Sequence, residues 1–144
     1  MMENREHQII RMVWQLGNAL VKFRNQDLLG YDLTSVQAEV ISFLIKNRDG
    51  QINMQDLQNN LMLTHPTVIG IVKRLESKGL IVSKKGKPDA RCTYIRLTEN
   101  GALFKNILDR LATENAAILL RGMTDEEQKE FYRLLQIVQK NISS

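Results

Sequence analysis

Residues 64–97 hold the side chains in this sequence that are best suited to binding chemistry. The stretch carries eight Lys and Arg residues against two acidic ones, a net charge of +6, whereas the remaining residues sum to −2. The cations are Lys73, Arg74, Lys78, Lys84, Lys85, Lys87, Arg91 and Arg96. Ammonium and guanidinium groups bind phosphate oxygens, and general solubility does not explain their concentration in one segment. The distribution indicates a polyanionic partner.

A helix is predicted over residues 64–78, and it would present several of these cations. Thr64 is a suitable N-cap whose hydroxyl can accept a backbone N–H of the first turn, and Pro66 is tolerated there. The i, i+3, i+4, i+7 spacing predicts one apolar stripe, formed by Val68, Ile71, Val72 and Leu75. The opposite face carries Pro66, Gly70, Lys73, Arg74 and Ser77. An ordinary amphipathic helix with a solvated basic face would show the same pattern.

Two strands and a basic turn follow this helix. Leu80–Val82 is a short apolar run, Thr93–Leu97 alternates with period two, and Lys84–Pro88 is the turn between them. Before the helix, Asn53 caps a shorter helix that runs through Leu57 and Leu61. Two helices followed by a hairpin are typical of a winged helix-turn-helix, in which the second helix enters a major groove. Its basic tip would suit a groove flanked by phosphates.

Three segments resemble the MarR-type (multiple antibiotic resistance) winged-helix regulators. They are LESKGLI at residues 75–81, DAR at 89–91 and LTENG at 97–101. The resemblance implies a single domain over 1–144, of mainly α (α+β) class, with dimerisation helices at 5–30 and 98–142 around a DNA-binding lobe at 33–97. It implies a homodimer on double-stranded DNA with a pseudo-palindromic operator. It further implies a transcriptional regulator, by default a repressor, released by a small aromatic or anionic effector.

The expected DNA contacts follow from these elements. Thr64, His65, Thr67 and Gly70 are predicted near base edges, with Pro66 shaping the approach, and Lys73 and Arg74 are predicted at phosphates. In the wing we expect Lys84, Lys85 and Lys87 near the backbone and Arg91 in the minor groove. Asp89 would hold Arg91 by an ion pair, or simply serve the turn after Pro88. Many family members carry a long polar residue in place of Gly70, so this chain lacks one potential reader of guanine.

The remaining helices are predicted from caps and apolar spacing. The first covers residues 5–28 and repeats its apolar residues at coiled-coil-like steps, and the second opens at Thr34 with Gln37 completing a capping box. Ile52 would add a short strand that pairs with the wing. Thr98 would cap one long helix that ends near Gly122, and Thr124 with Glu127 would cap the last helix. The first helix and the two helices after the wing together carry more apolar surface than one small lobe needs, which favours a dimer.

Effector residues are much less defined by the sequence. By resemblance, an effector would bind where the dimer helices meet the lobe, and the candidates are Val13, Trp14, Gly17, Tyr31 and Phe43. Each of them could instead be an ordinary core residue, and we favour that interpretation for each one. Cys92, beside the wing, could be an inert strand residue or a redox switch whose thiolate is favoured by Arg91.

Composition excludes several other classes. A single cysteine excludes a disulfide framework and favours a reducing, cytoplasmic setting, and no apolar run reaches the length of a membrane span. No Gly-rich phosphate loop, zinc signature or catalytic His arrangement is present, so we expect neither an enzyme nor a bound cofactor or metal. The alternative function is a winged-helix protein-interaction module. A basic wing favours DNA, whereas a wing that binds a protein would more often be apolar.

Overall fold

The computed structural model describes residues 4–86 and 91–143. In chain order these residues form α1 (Arg5–Leu28), a 3₁₀ turn (Leu29–Tyr31), α2 (Ser35–Lys46), β1 (Ile52–Asn53), α3 (Met54–Leu61), α4 (His65–Ser77), β2 (Ile81–Lys85), β3 (Thr93–Leu97), α5 (Glu99–Ala102), α6 (Phe104–Leu119) and α7 (Asp125–Ser143). The mainly α class and the winged helix-turn-helix are therefore confirmed. The chain divides into two compact units, residues 1–109 and 110–144.

Side-chain caps explain where several helices begin. Thr34 and Gln37 form the predicted capping box of α2, with both hydrogen bonds at 3.2 Å. Asn53 caps α3 as predicted, and Asp56 closes a second box that the sequence analysis did not identify. Each box satisfies backbone N–H groups that have no partner inside the helix. The short range of these contacts is the reason that they can be predicted from spacing.

A three-stranded antiparallel sheet has the order β1-β3-β2. Ile52 pairs with Ile95, which confirms the predicted strand that joins the wing, and Ile81 pairs with Leu97. The strand β2 continues to Lys85, so the prediction that it ends at Val82 was wrong. The backbone pairing of β2 with β3 extends two residues past Ser83, and it places Lys84 and Lys85 on a strand rather than in the turn.

The segment after the wing packs against the turn that ends α4. The Thr98 hydroxyl donates to the Gly79 carbonyl at 2.6 Å, and the Thr98 N–H donates to the Leu80 carbonyl at 3.1 Å. A Cβ at Gly101 would lie 2.1 Å from the Leu80 oxygen, so only glycine permits this approach. The LESKGLI and LTENG segments are thus joined to each other directly.

The prediction of one long helix after Thr98 was wrong in its continuity. Thr98 does cap a helix, because its hydroxyl accepts the Gly101 N–H at 3.1 Å. That helix, α5, has four residues and ends at Ala102. The N–H of its C-cap, Leu103, is shared between the carbonyls of Glu99 at 3.2 Å and Asn100 at 3.3 Å. This tightened turn separates α5 from α6.

The core of residues 1–109 is built from the apolar faces of the lobe. Val40, Ile41, Leu57, Val68 and Leu75 are completely inaccessible to solvent. By contrast, α1 buries only Leu28 among its 24 residues. Within the described residues of 110–144, α7 buries none. The lobe therefore contains a finished core, whereas α1 and α7 each carry apolar side chains that remain exposed.

No single helix among the described residues is long and apolar enough to cross a membrane. One pair of helices, Arg5–Tyr31 with Ser35–Lys46, meets the length and composition together, and it is bent by 77° at its break.

Candidate nucleic-acid interface

The helix α4 separates its two faces as the sequence predicts. Val68, Ile71, Val72 and Leu75 are buried, which fixes the helix against the lobe. On the other side, the predicted contact residues Thr64, His65, Pro66, Thr67, Lys73 and Arg74 are all exposed. The structure thus presents small and polar groups near the N-terminal end of α4 and cations nearer its C-terminal end.

Thr64 occupies the N-cap position, but its hydroxyl does not cap the helix. Its backbone is extended, with φ −76° and ψ 157°, and its hydroxyl accepts no backbone N–H of the first turn. Instead, Thr64 Oγ1 lies 2.9 Å from Thr67 Oγ1. The predicted N-cap hydrogen bond was therefore wrong, because the two hydroxyls satisfy each other. The amides of the first turn are left for another acceptor, a role that phosphate can fill at a helix N-terminus.

His65 is held by the neighbouring helix of the helix-turn-helix. Its Nδ1 lies 3.0 Å from Gln58 Oε1 on α3. With the amide oxygen as acceptor, Nδ1 carries the proton, and Nε2 remains for a further partner. Because the contact spans seven residues across the turn, apolar periodicity gave no signal for it. It orients one of the predicted base-edge residues.

The turn between α3 and α4 contains a non-glycine residue in the left-handed region. Met62 has φ 54° and ψ 44°, and its N–H donates to the Gln58 carbonyl. The adjacent Leu63 N–H donates to the same carbonyl at 3.1 Å. These bonds set the angle at which the chain leaves α3 and enters α4.

Gly70 lies on the outer part of α4 with open space beside it. A Cβ at this position would meet no atom within 4 Å. The protein itself therefore does not require glycine here, unlike at Gly101. The space is consistent with the predicted close approach of the helix backbone to an external surface.

The acidic side chain of Glu76, on the otherwise basic stretch of residues 64–97, connects α4 to the wing. Ser83 on β2 donates to Glu76 Oε1 at 2.6 Å. One of the two acidic residues in the basic stretch thus connects the strand to the helix. Farther out, the Gly86 N–H donates to the Cys92 carbonyl at 2.9 Å, and the Tyr94 ring covers Gly86 so closely that a Cβ there would lie 1.7 Å from it.

The predicted cations of the wing are described in part. Lys84, Lys85 and Arg91 are exposed. Lys87 and Asp89 lie outside the described residues, as does the predicted ion pair between Asp89 and Arg91. Cys92, the single cysteine of the sequence, is half-buried.

The predicted effector residues are spread over three elements. Val13, Trp14 and Gly17 are exposed on α1, whereas Tyr31 and Phe43 are half-buried on the 3₁₀ turn and α2. A shallow cavity of about 410 Å³ on α1 is lined by His7, Ile10, Arg11 and Trp14, so it includes one of the five. These four residues follow the i, i+3, i+4, i+7 spacing of one helix face.

The fold and the exposed helix define a winged helix-turn-helix protein. Residues 33–93 match the model of the MarR family. It is 37% identical over 70 residues to the HTH-type transcriptional regulator FarR of Neisseria gonorrhoeae, a match covering 49% of this chain and 47% of FarR. The chain thus spans about half the length of that relative. Such relatives are named as transcriptional regulators, a non-enzymatic class.

Solved structures show the same fold. A MarR protein from Peptoclostridium difficile has a TM-score of 0.91 and 21% identity, covering 99% of this chain and 92% of that one. The Staphylococcus aureus MepR–DNA complex has a TM-score of 0.84 and 23% identity, covering 97% of this chain and 99% of MepR.

Proposed function

We propose that this chain is a sequence-specific DNA-binding transcriptional regulator that acts as a homodimer, by default as a repressor. The observation that carries the proposal is the division of α4 into a buried apolar stripe and an exposed face of small, polar and cationic side chains. Buried residues fix the helix to the lobe, and the exposed face is free to enter a major groove.

Roles for individual side chains follow from chemistry and exposure. Thr64, His65 and Thr67 are proposed at base edges, where hydroxyl and imidazole groups can hydrogen-bond. Lys73 and Arg74 are proposed at phosphates, which fix the register of the protein on the duplex but carry no sequence information directly.

The wing supplies a second group of proposed contacts. Lys84 and Lys85 are exposed on β2, and Arg91 is exposed just before β3. We propose that Lys84, Lys85 and Lys87 contact phosphates and that Arg91 enters a minor groove. This basic character favours DNA over a protein partner.

Two copies of the lobe at residues 33–97 would read an inverted repeat. We propose that residues 5–30 and 98–142 contain the dimerisation helices, because α1 and α7 expose stripes that include Ile9, Val13, Leu16, Phe131 and Leu135. A two-fold axis would present two α4 helices to successive major grooves about 34 Å apart. Exposed apolar stripes of this length are unusual on a protein that works alone.

The relatives agree with this proposal. MepR has been solved in complex with DNA. IacR of Pseudomonas putida, 23% identical over 100 residues, is named a transcriptional repressor. Occlusion of a promoter by a bound dimer would give repression here.

Fluorescence anisotropy across a salt series tests the proposal. The purified protein is titrated with DNA from upstream of its own gene and with a scrambled duplex. Selective binding should weaken by about 0.9 log unit per decade of salt for each neutralised phosphate. Equal, weak binding to both duplexes, followed by failure to enrich any sequence from a randomised library, would refute DNA regulation and leave the protein-interaction module.

We also propose that a small aromatic or anionic effector releases the DNA. Trp14 is the only tryptophan and lies beside Arg11 on α1, so an aromatic anion there would find a ring and a cation. Titration of a panel of aromatic carboxylates should quench Trp14 fluorescence and weaken DNA binding at the same concentrations. Quenching without any change in DNA affinity would show that a compound bound in this cavity does not regulate DNA binding.

A further inference from the structure

Lys78 differs from the other cations of residues 64–97. Among the seven Lys and Arg residues of this stretch that the structure describes, it alone is not exposed, and its side chain retains 27% accessibility. Its ammonium group lies 3.0 Å from Gln37 Oε1, donates to the Asp32 carbonyl, and lies 3.8 Å from the Asp32 carboxylate. The charge is therefore directed into the protein and not toward an external polyanion.

Two of the three oxygen groups around Lys78 are fixed in place, the Gln37 amide oxygen and the Asp32 carbonyl, whereas the Asp32 side chain is 94% exposed. Gln37 is buried, and the same Oε1 atom accepts the Thr34 N–H at 3.2 Å in the capping box of α2. Asp32 has φ 54°, and its N–H donates to the Leu29 carbonyl at 3.2 Å. A flexible lysine is thus held by two fixed oxygens, which lowers the number of positions that the end of α4 can adopt.

The location of Lys78 makes this contact important for the direction of α4. It is the C-cap of that helix and precedes Gly79, which has φ 73°. The opposite end of α4 is held to α3 through His65 and Gln58 at 3.0 Å. A helix of 13 residues is about 20 Å long, so a tilt of about 10° at one end would move the other by about 3 Å. Hydrogen bonds to base edges do not tolerate such a shift.

We infer that Lys78 is a positioning residue that orients α4 for DNA by clamping its C-terminal end to Asp32 and Gln37, and that it does not neutralise a phosphate. The inference rests on the proposed DNA-binding function. It removes one cation from the set that the sequence assigned to a polyanionic partner.

The segment that accepts Lys78 is also held by α1. Arg24 forms an ion pair of 2.6 Å with Glu39, and Asn25 Oδ1 accepts the Ser35 N–H at 2.7 Å. Both contacts join the end of α1 to the beginning of α2. The clamp therefore connects α4 to the same short segment that α1 positions.

A matched pair of substitutions on α4 tests whether Lys78 positions or neutralises. Lys73→Met removes an exposed cation from each protomer, so it should lower the slope of log K against log salt by about 0.9 per protomer, or about 1.8 for the bound dimer. Lys78→Met should leave that slope unchanged while weakening binding about tenfold at every salt concentration. Loss of slope in Lys78→Met equal to that in Lys73→Met, or unchanged affinity in Lys78→Met, would overturn the inference.

A double-mutant cycle in urea tests the clamp without DNA. Gln37→Glu keeps the acceptor for Thr34 and adds a negative charge 3.0 Å from the ammonium group. When Lys78 is present, Gln37→Glu should raise the urea midpoint or lower it only slightly. In the Lys78→Met background, the same substitution should lower the urea midpoint by a larger amount. Equal shifts in both backgrounds would show that no clamp exists.

Two further arrangements keep the outcomes distinct. If Lys78→Met does not fold, Lys78→Gln serves in its place, because an amide removes the charge but can still donate to one acceptor. If the wild type shows no selective DNA binding, the proposed function fails, whereas the cycle still decides whether Lys78 is clamped.

Discussion

The same apolar residue types have opposite surroundings in two regions of the molecule, the lobe at residues 33–97 and the helices α1 and α7. In the lobe, Val40, Leu57 and Val68 have no accessible surface. On α1, Leu16 is 56% exposed, and on α7, Leu134 is 47% exposed. Burial of one leucine contributes about 1.5–3 kcal/mol. The lobe therefore obtains its stability within the chain, whereas the stripes of α1 and α7 have that contribution still to gain.

The difference separates the two tasks of the proposed regulator. A rigid lobe can present α4 in one orientation, because its core is complete before any partner arrives. Exposed stripes, by contrast, become stable surfaces only when another surface covers them. Substitutions in the lobe should therefore change folding, and substitutions in the stripes should change assembly.

The largest effect is expected from a charge placed in the stripe of α1. Leu16→Glu should abolish the proposed dimer, because an ionised carboxylate cannot be covered by an apolar surface without a partner. Loss of the second lobe should then weaken operator binding by about 100-fold or more. Sedimentation velocity and anisotropy measure the two effects, with Asn18→Glu on the opposite side of α1 as the control. A Leu16→Glu protein that remained a dimer would place the interface elsewhere.

Truncation of a core leucine should have the next largest effect, and it should act on folding. Leu57 is inaccessible, so Leu57→Ala should destabilise the protein by about 2–5 kcal/mol in urea unfolding. Leu134→Ala removes the same atoms from an exposed position, and it should instead raise the dissociation constant of the dimer. Equal losses of folding stability in the two variants would mean that α7 already buries its stripe within one chain.

Alanine substitutions at two helical glycines distinguish a glycine required for packing from one proposed to allow close approach to DNA. Gly101→Ala should destabilise by about 1–3 kcal/mol, since its Cβ would overlap the Leu80 carbonyl oxygen. Gly70→Ala meets open space, and alanine should stabilise α4 by about 0.5–1 kcal/mol. The same Gly70→Ala variant should bind operator DNA more weakly if the backbone approaches DNA there. If Gly70→Ala instead bound operator DNA more tightly, in proportion to its gain in folding stability, Gly70 would have no role in the approach of the backbone to DNA.

Gly70→Arg tests whether a long cationic side chain at position 70 would contact base edges. A guanidinium group at this position could read guanine, so the substitution should change the sequences selected from a randomised library more than it changes the urea midpoint. An unchanged selected sequence would show that position 70 does not face base edges.

Local spacing was sufficient to predict most of the fold. The stripe of α4, the Thr34 capping box and the pairing of Ile52 with the wing each depend on residues at fixed short separations or on strand alternation. The division at Leu103 was not predicted, because the Leu103 N–H is shared between the Glu99 and Asn100 carbonyls, and apolar spacing gives no signal for such a turn. Periodicity identifies the face of an element but not the atom that it meets.

The candidate site was predictable as a set of exposed residues and not as a set of contacts. His65 and Arg74 lie on the outer face as expected, but the Gln58 contact of His65 has no sequence pattern. Lys78 was counted with the cations that indicate a polyanionic partner, although its partners in the chain lie 46 and 41 residues away. A lysine near a helix end suits the helix dipole, a phosphate or a distant carbonyl equally well, and only the tertiary fold distinguishes these partners.

The smallest predicted effect concerns how the two regions respond to acid. The α2 capping box uses the neutral Gln37, whereas the α7 box uses Glu127, whose Oε1 accepts the Thr124 N–H at 2.9 Å. Hydrogen bonds from the Thr124 backbone and side chain hold the pKa of Glu127 below its ordinary value. The stabilisation is therefore fully present above that ordinary value and is lost as the pH falls through the lower, folded-state pKa.

Hydrogen exchange at the first turn of α7 should consequently speed up in acid relative to the first turn of α2, after correction for intrinsic rates. Glu127→Gln keeps the acceptor but cannot titrate, so it should reduce this difference. An unchanged acid response of α7 in Glu127→Gln would mean that titration of Glu127 does not weaken its capping box, and the two boxes would then be equivalent.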